Sequence, residues 1–252
     1  MEINKFYNED CLDTMSRMSD NFIDVVLTSP PYNMTKRKGG YADKGKRYDM
    51  YNDWKSENEY TLWTTKIFNN IDRVLNKNGV ILYNFSYSIE NPSLPYIMVS
   101  EIIKNTNFVI ADTIIWKKNN SVPHPASYNR LHRVVEFVFV FCRASEIKDF
   151  NCYKKITKIS PSGQKYYEII DNLIIAKNND GVNKMNKATF STDLCSQLLN
   201  IYTKEKDIVY DPFMGTGTTG VACKQLKRQF IGSEISSEQV KYSEERLFKV
   251  LF

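Results

Sequence analysis

The chain has 252 residues, 42% of them hydrophobic, which is enough to bury the core of one large α/β domain or of two small ones. Lys and Arg outnumber Asp and Glu by 34 to 29. This small excess of positive charge favours an anionic partner but does not identify one. Its apolar runs are shorter than the roughly 18 residues of a membrane span, and its five cysteines are scattered, so we expect a soluble cytoplasmic protein with reduced thiols and neither membrane contact nor metal.

Short apolar runs bounded by turn residues alternate with longer amphipathic stretches, a pattern typical of βαβ units. We therefore predict an α/β fold with a doubly wound, mostly parallel sheet, in which all six apolar runs are buried parallel strands. In chain order the predicted elements are strand 22–29, helix 56–76, strand 79–85, helix 94–105, strands 109–116 and 134–141, helix 191–203, strand 207–211, helix 217–227, strand 229–235 and helix 236–250.

Two stretches interrupt this alternation. Residues 33–54 place basic side chains among glycines and tyrosines, and residues 143–190 are polar and rich in Lys, Asn and Tyr. The predicted organisation is thus one domain formed by 1–142 and 191–252, with 143–190 as an insert.

The first predicted strand ends abruptly in "VVLTSPPYN", where Ser29-Pro30-Pro31-Tyr32 follows an apolar run. Each proline fixes its own φ and holds the preceding residue in an extended conformation, so the carbonyl groups of this turn are rigidly placed. Taken alone, such a tetrapeptide is most often an ordinary strand-ending turn.

A second strand end carries the glycine-rich loop "DIVYDPFMGTGTTGVA". Gly215, Gly217 and Gly220 have the spacing G-x-G-x-x-G ahead of a helix, which is a dinucleotide-binding fingerprint, and Glu234 ends the next strand where a ribose-binding carboxylate is expected. Only 32 residues follow Gly220, too few for a nicotinamide-binding sheet that reads forward from this loop. The remaining strands must come from upstream.

Parallel strands of one sheet bind ligands beyond their carboxyl ends, so Asp211 and Ser29 should face the same crevice. Asp211 lies at a strand tip, and we expect its side chain to contribute little to core packing.

The combination of "TSPPYN" near the N-terminus with "DPFMGTGTT" near the C-terminus resembles the beta class of amino DNA methyltransferases, which use S-adenosylmethionine. Further stretches are similar to the family's: "NEDCLDTM" at 8–15, "FIGSEIS" around Glu234 and "RVVEFVFVF" at 133–141; "NKATFSTDL" at 186–194 departs from its His-Pro-Ala lead-in. The resemblance implies a permuted Rossmann-like methyltransferase fold with 143–190 as target-recognition insert. It implies cofactor binding by Asp10, Cys11, Asp211, Pro212, Phe213, Gly215, Gly217, Thr218, Thr219 and Glu234.

The resemblance gives the proline-rich turn a catalytic role. The exocyclic amine of cytosine or adenine is a poor nucleophile because its lone pair is delocalised into the ring. Two acceptors aimed at its N–H bonds turn it toward tetrahedral geometry: the Ser29 hydroxyl and, by the resemblance, the Pro30 carbonyl, which Pro31 helps to hold. Tyr32 offers a flat face to a flipped-out base, and alignment of amine and methyl group provides most of the catalysis.

Serine at the first position of this tetrad is typical of family members that methylate cytosine N4, whereas Asp or Asn is typical of those that methylate adenine N6. We therefore predict N4-methylcytosine, with N6-methyladenine as the alternative. More distant alternatives are an RNA or protein-amide methyltransferase, a non-catalytic DNA-binding module and a nicotinamide oxidoreductase.

The expected partner is double-stranded DNA, and a cognate restriction endonuclease and a homodimer are compatible with the family. Basic side chains beside the catalytic turn should contact phosphates, and the lysines and tyrosines of the insert suit phosphate and groove contacts. The expected DNA-binding residues are Lys36, Arg37, Lys38, Lys46 and Arg47, with Lys154, Lys155, Lys158, Lys165, Tyr166 and Tyr167 in the insert.

Overall fold

The computed structural model describes residues 1–33, 55–87, 91–121, 128–129, 131–181 and 189–250. Within these ranges no helix is long and apolar enough to cross a membrane. The basic residues expected to meet DNA next to the catalytic turn lie outside the described residues; these are Lys36, Arg37, Lys38, Lys46 and Arg47.

An eight-stranded sheet forms the centre of the molecule, with strand order β1-β10-β9-β2-β3-β5-β4-β8. All neighbouring strands are parallel except that β5 runs antiparallel to both β3 and β4. The strands are β1 (Lys5–Tyr7), β2 (Ile23–Thr28), β3 (Leu75–Phe85), β4 (Phe108–Lys118), β5 (Val135–Arg143), β6 (Ile156–Ile159), β7 (Lys165–Tyr167), β8 (Leu173–Ala176), β9 (Ile208–Asp211) and β10 (Gln229–Ser233).

Helices cover both faces of this sheet, and side chains of β2 alternate between the two layers. Val25 packs into a core with residues of α4 to α6, whereas Val26 packs into a second core with residues of α1 to α3. The helices are α1 (Cys11–Ser16), α2 (Glu57–Val74), α3 (Leu94–Asn105), α4 (Thr192–Tyr202), α5 (Thr218–Gln225) and α6 (Ser237–Lys249). The prediction of a doubly wound, mostly parallel sheet is confirmed.

One strand runs against the prediction. The run 134–141 was expected to be parallel, and β5 is antiparallel instead. A central strand is apolar in either direction, and the connection from β4 to β5 is long enough for a parallel crossover, so neither composition nor length reveals the direction. Because of this reversal, β5 begins at the sheet edge where β2, β3, β9 and β10 end.

The polar stretch after β5 contains three strands that the apolar pattern does not predict. β6 and β7 pair as an antiparallel two-stranded ribbon, and all of their residues are exposed. β8 pairs with β4 and extends the main sheet by one edge strand. Its burial alternates, with Ile174 and Ala176 in the core and Leu173 and Ile175 exposed.

Candidate active site

A cavity of about 250 Å³ opens at the carboxyl ends of β2, β9 and β10. It brings together residues from both ends of the chain, as the crevice argument requires. Predicted site residues that line it are Asp10, Cys11, Ser29, Pro31, Asp211, Pro212, Phe213, Gly215, Thr218 and Glu234, whereas Pro30, Tyr32, Gly217 and Thr219 are not among its lining residues.

Asp211 connects the two loops at the base of this cavity. Thr28, the residue before Ser29, donates its hydroxyl to Oδ1 at 2.7 Å, and Thr219 at the start of α5 donates to Oδ2 at 2.6 Å. The backbone N–H of Phe213 also donates to Oδ1, at 3.0 Å. The expectation that Asp211 contributes little to packing was wrong, because the residue is only 3% exposed and this burial raises the pKa of its carboxyl to about 6.

Glu234 holds the glycine loop at Gly215. Its carboxylate accepts from the backbone N–H of Gly215 at 3.0 Å and from that of Ser236 at 2.9 Å. Gly215 and Gly217 both have positive φ, at 51° and 75°, a conformation that glycine adopts without strain. At Gly217 a Cβ would come within 2.7 Å of the Ser243 side chain, so the loop packs too closely against α6 for a larger residue.

Asp10 provides a second carboxylate at the cavity. It is the N-cap of α1, where its Oδ1 accepts from the backbone N–H of Leu12 at 2.8 Å. Hydrogen-bonding acids that line a partly apolar cavity next to a helix N-terminus suit a ligand that carries ribose hydroxyls and a charged amino-acid end.

The proline-rich turn is held from several directions. The hydroxyl of Tyr60 in α2 donates to the Pro31 carbonyl, and the Ser29 hydroxyl lies 3.2 Å from the hydroxyl of Tyr32. The Tyr32 ring packs edge-on against Phe85 at the end of β3, with ring centroids 5.0 Å apart. The next residue, Asn33, exchanges two hydrogen bonds with the backbone of Lys55.

The sequence profile of the N6_N4_Mtase family, described as DNA methylase, matches residues 23–245, which include both loops of this cavity. The chain belongs to this family. The prediction of an amino DNA methyltransferase is thereby confirmed.

One relative is similar to this chain in sequence and two solved structures are similar to it in fold. Type II methyltransferase M.BglII of Bacillus subtilis is 26% identical over 257 residues, covering 94% of this chain and 67% of M.BglII, so the chain spans about two thirds of that relative. PvuII DNA methyltransferase (cytosine-N4-specific) superposes with a TM-score of 0.71 and 21% identity, covering 98% of this chain and 90% of that one. The M1.HpyAVI-SAM complex superposes with a TM-score of 0.65 and 23% identity, covering 96% of this chain and 98% of M1.HpyAVI.

The sequence did not single out Arg246, which braces the glycine loop of this DNA methylase. Its guanidinium donates to the Thr216 carbonyl at 2.8 Å and to the Thr218 hydroxyl at 3.1 Å. The same group forms an ion pair with Asp180 at 2.7 Å, and Asp180 accepts from the backbone N–H of Thr192 at the start of α4. An arginine near the end of a charged amphipathic helix gives no sequence signal of such a role.

Other lining residues also escaped sequence analysis. Trp63 of α2 reaches the cavity and packs against Phe213, with ring centroids 5.3 Å apart. Thr189 and Phe190 line it from the segment where the chain departs from the family's usual lead-in, so that departure was the available signal. The remaining unpredicted lining residues are Glu9, Lys55, Met214, Ser233, Ile235 and Gln239.

Proposed function

We propose that this chain methylates the exocyclic N4 of cytosine in double-stranded DNA. Its class, an S-adenosylmethionine-dependent DNA methyltransferase, follows from its family. The observation that carries the proposal is that one cavity joins Ser29, at the end of β2, to the two carboxylates of Asp10 and Glu234.

The acidic side of the cavity fits the cofactor. Glu234 is already oriented by two backbone N–H groups, and a carboxylate so placed suits ribose hydroxyls. We assign Asp10 to the nucleoside part and the N-terminus of α5 to the charged amino-acid end. When bound, S-adenosylmethionine supplies an electrophilic methyl group on a sulfonium sulfur.

Ser29 and the adjoining carbonyl then act on the target amine. The Ser29 oxygen and the Pro30 carbonyl accept from the two N–H bonds of the amine, which directs its lone pair out of the base plane. The Tyr60 hydroxyl donates to the carbonyl of the next residue, Pro31, and so holds the peptide group that follows Pro31. Preorganised acceptors of this kind also stabilise the positive charge that develops on the nitrogen.

The choice of cytosine rests on Ser29 and is supported by the similarity to the cytosine-N4-specific PvuII enzyme. A serine hydroxyl is a neutral acceptor that can also donate, and cytosine places the acceptor N3 beside its amine. Adenine places N1 in the same relation, so N6-methyladenine is the second candidate.

We also propose that 143–190 selects the DNA sequence. The β6–β7 ribbon is exposed and carries Lys158, Lys165 and Tyr166, and the major groove admits a two-stranded ribbon of this size. Lys36, Arg37, Lys38, Lys46 and Arg47 are proposed phosphate contacts. A cognate endonuclease and a homodimer stay predictions.

Methylation of unmodified DNA of mixed sequence with labelled S-adenosylmethionine tests the function. The DNA is digested to nucleosides and analysed by mass spectrometry, with Ser29→Ala as the matched inactive protein. We expect label in N4-methylcytosine with the wild type and a strongly reduced amount with the variant.

Each other outcome has a defined meaning. Label found only in N6-methyladenine would show that the target base is adenine instead of cytosine. The enzyme class would be unchanged. Label transferred to RNA or to protein but not to DNA rejects DNA as the substrate, and cofactor binding without transfer to any of them favours a binding module.

A further inference from the structure

A chain of polar side chains runs from Ser29 into the sheet. The Tyr32 hydroxyl, 3.2 Å from the Ser29 hydroxyl, lies 3.1 Å from Glu136 Oε2 and 3.1 Å from Asn84 Oδ1. The other oxygen of Glu136 accepts from the ammonium group of Lys118 at 2.5 Å. The Lys118 and Glu136 side chains are only 17% and 15% exposed, so this ion pair is largely withdrawn from solvent.

The reversed direction of β5 is what makes this chain possible. Glu136 is the second residue of β5, and an antiparallel strand begins at the edge where β2 and β3 end. In a parallel strand the same residue would lie at the opposite edge, away from Ser29.

The partners of Tyr32 determine which way its hydrogen bond with Ser29 points. A carboxylate only accepts, and the Asn84 amide presents its oxygen to Tyr32 because its nitrogen donates to the Phe137 carbonyl at 3.0 Å. The single phenolic proton is therefore drawn toward Glu136 and Asn84, and charge-assisted bonds are the stronger kind. The phenolic oxygen is left to accept from Ser29.

We propose that Glu136 is a positioning residue that makes Ser29 an acceptor toward the target amine. With its proton directed to Tyr32, the Ser29 oxygen presents its lone pairs to the amine N–H. Were the bond reversed, Ser29 would point its own proton at the amine and oppose the geometry that catalysis needs. This inference rests on the proposed methyl transfer.

Glu136→Gln is the informative substitution because it keeps size and removes the charge. Lys118 donates at 2.5 Å and the Asn84 amide nitrogen only at 3.4 Å, so Lys118 holds the new amide oxygen. The amide nitrogen then faces Tyr32 as a donor. The phenolic proton then loses its charged acceptor, and the neutral oxygens of Asn84 and Ser29 compete for it. Glu146→Gln is the matched control, because Glu146 is a comparably buried glutamate whose ion pair with Arg143 lies at the other end of β5.

Single-turnover kinetics provide the first measurement. We expect Glu136→Gln to lower the methylation rate several-fold, with cofactor and DNA affinities close to wild type. The melting temperature should fall because Lys118 loses its countercharge, so the rates are compared well below it. Glu146→Gln should keep the wild-type rate. Tyr32→Phe should slow the reaction similarly, and adding Glu136→Gln to Tyr32→Phe should slow it no further, since both act through one hydroxyl.

A second measurement does not depend on turnover. In protein with ¹³Cζ-labelled tyrosine, the Tyr32 resonance is assigned by its loss in Tyr32→Phe, and its shift reports whether the phenol donates or accepts. We expect that shift to change in Glu136→Gln and to stay constant in Glu146→Gln.

These outcomes separate the inference from the function on which it rests. A wild-type rate in Glu136→Gln, an equal slowing by Glu136→Gln with and without the Tyr32 hydroxyl, or an unmoved Tyr32 resonance overturns the role of Glu136 while methylation stands. Failure of the wild type to methylate DNA overturns the function, and the resonance still tests the hydrogen-bond direction.

Discussion

The glycine loop at 211–220 and the proline-rich turn at 29–32 end neighbouring strands and are held in different ways. The glycine loop is held mainly by groups close to it in the sequence, Asp211, Thr219 and Glu234, with further hydrogen bonds from Thr28 and Arg246. The turn is held by side chains from three distant elements, including Tyr60 of α2 and Glu136 of β5. The first arrangement depends on a local pattern, and the second depends on strand order and direction.

The largest expected effect comes from the proline-rich turn. Ser29→Ala should lower the single-turnover methylation rate by roughly 10²–10³-fold, the scale of losing one preorganised hydrogen-bonding group in an active site. Its affinity for S-adenosylmethionine, measured by calorimetry, should match wild type because the glycine loop keeps its own contacts. Equal losses of rate and cofactor affinity would contradict the separation of the two loops.

Asp211 should give the next largest effect, in stability rather than rate. Its pKa is raised from 3.8 to about 6 in the folded protein, so the folded state binds more protons than the unfolded state between these values. The contribution of Asp211 is thus fully present below pH 4 and is lost as pH rises through 6, by about 3 kcal/mol at 1.36 kcal/mol per pKa unit. Asp211→Asn removes this titration.

Urea unfolding of the wild type and Asp211→Asn at a series of pH values measures that contribution. The wild-type free energy of unfolding should fall relative to the variant as pH rises from 4 to 6 and be level above 7. A relative rise over the same window would show that the folded pKa is lowered rather than raised.

Arg246→Ala should have a smaller effect, mainly on cofactor binding at the glycine loop. Removing the guanidinium frees the Thr216 carbonyl and the Thr218 hydroxyl, and we expect about tenfold weaker binding of S-adenosylmethionine, or about 1.4 kcal/mol. Arg228→Ala is the control, because Arg228 makes three hydrogen bonds, against the four of Arg246, and lies before β10 at the opposite sheet edge. Equally weaker binding of S-adenosylmethionine in both variants would show that the loss comes from lower stability and not from the glycine loop.

Neutralising the basic residues beside the turn should have the smallest effect per residue. Each lost phosphate contact should flatten the log–log dependence of DNA affinity on salt by roughly 0.9, for all DNA sequences alike. Filter binding at several salt concentrations measures the slope. A slope equal to wild type would remove the loop from the DNA interface; the residues to change are Lys36, Arg37, Lys38, Lys46 and Arg47.

Sequence analysis succeeded where a local requirement decides the structure. Glycines at positive φ, a strand ending in Asp211 and an acid ending the next strand are visible one segment at a time. β8 was missed because four residues with alternating burial give a weak signal, and β6 and β7 because exposed ribbon strands carry no apolar pattern. Glu136 and Arg246 were missed because each acts on a loop that is remote in sequence.

The pairing of β1 with β10 has a consequence for how the protein is made. Lys5 lies beside Ile231, and β1 has no other neighbour in the described sheet. This strand can therefore pair only after β10 has been synthesised. At 5–20 residues per second this interval is roughly 10–45 s. Asp10 and Cys11 follow shortly after β1 and form one wall of the cavity, so that wall closes only after β10 has been synthesised. Nascent chains that lack β10 should therefore bind no cofactor.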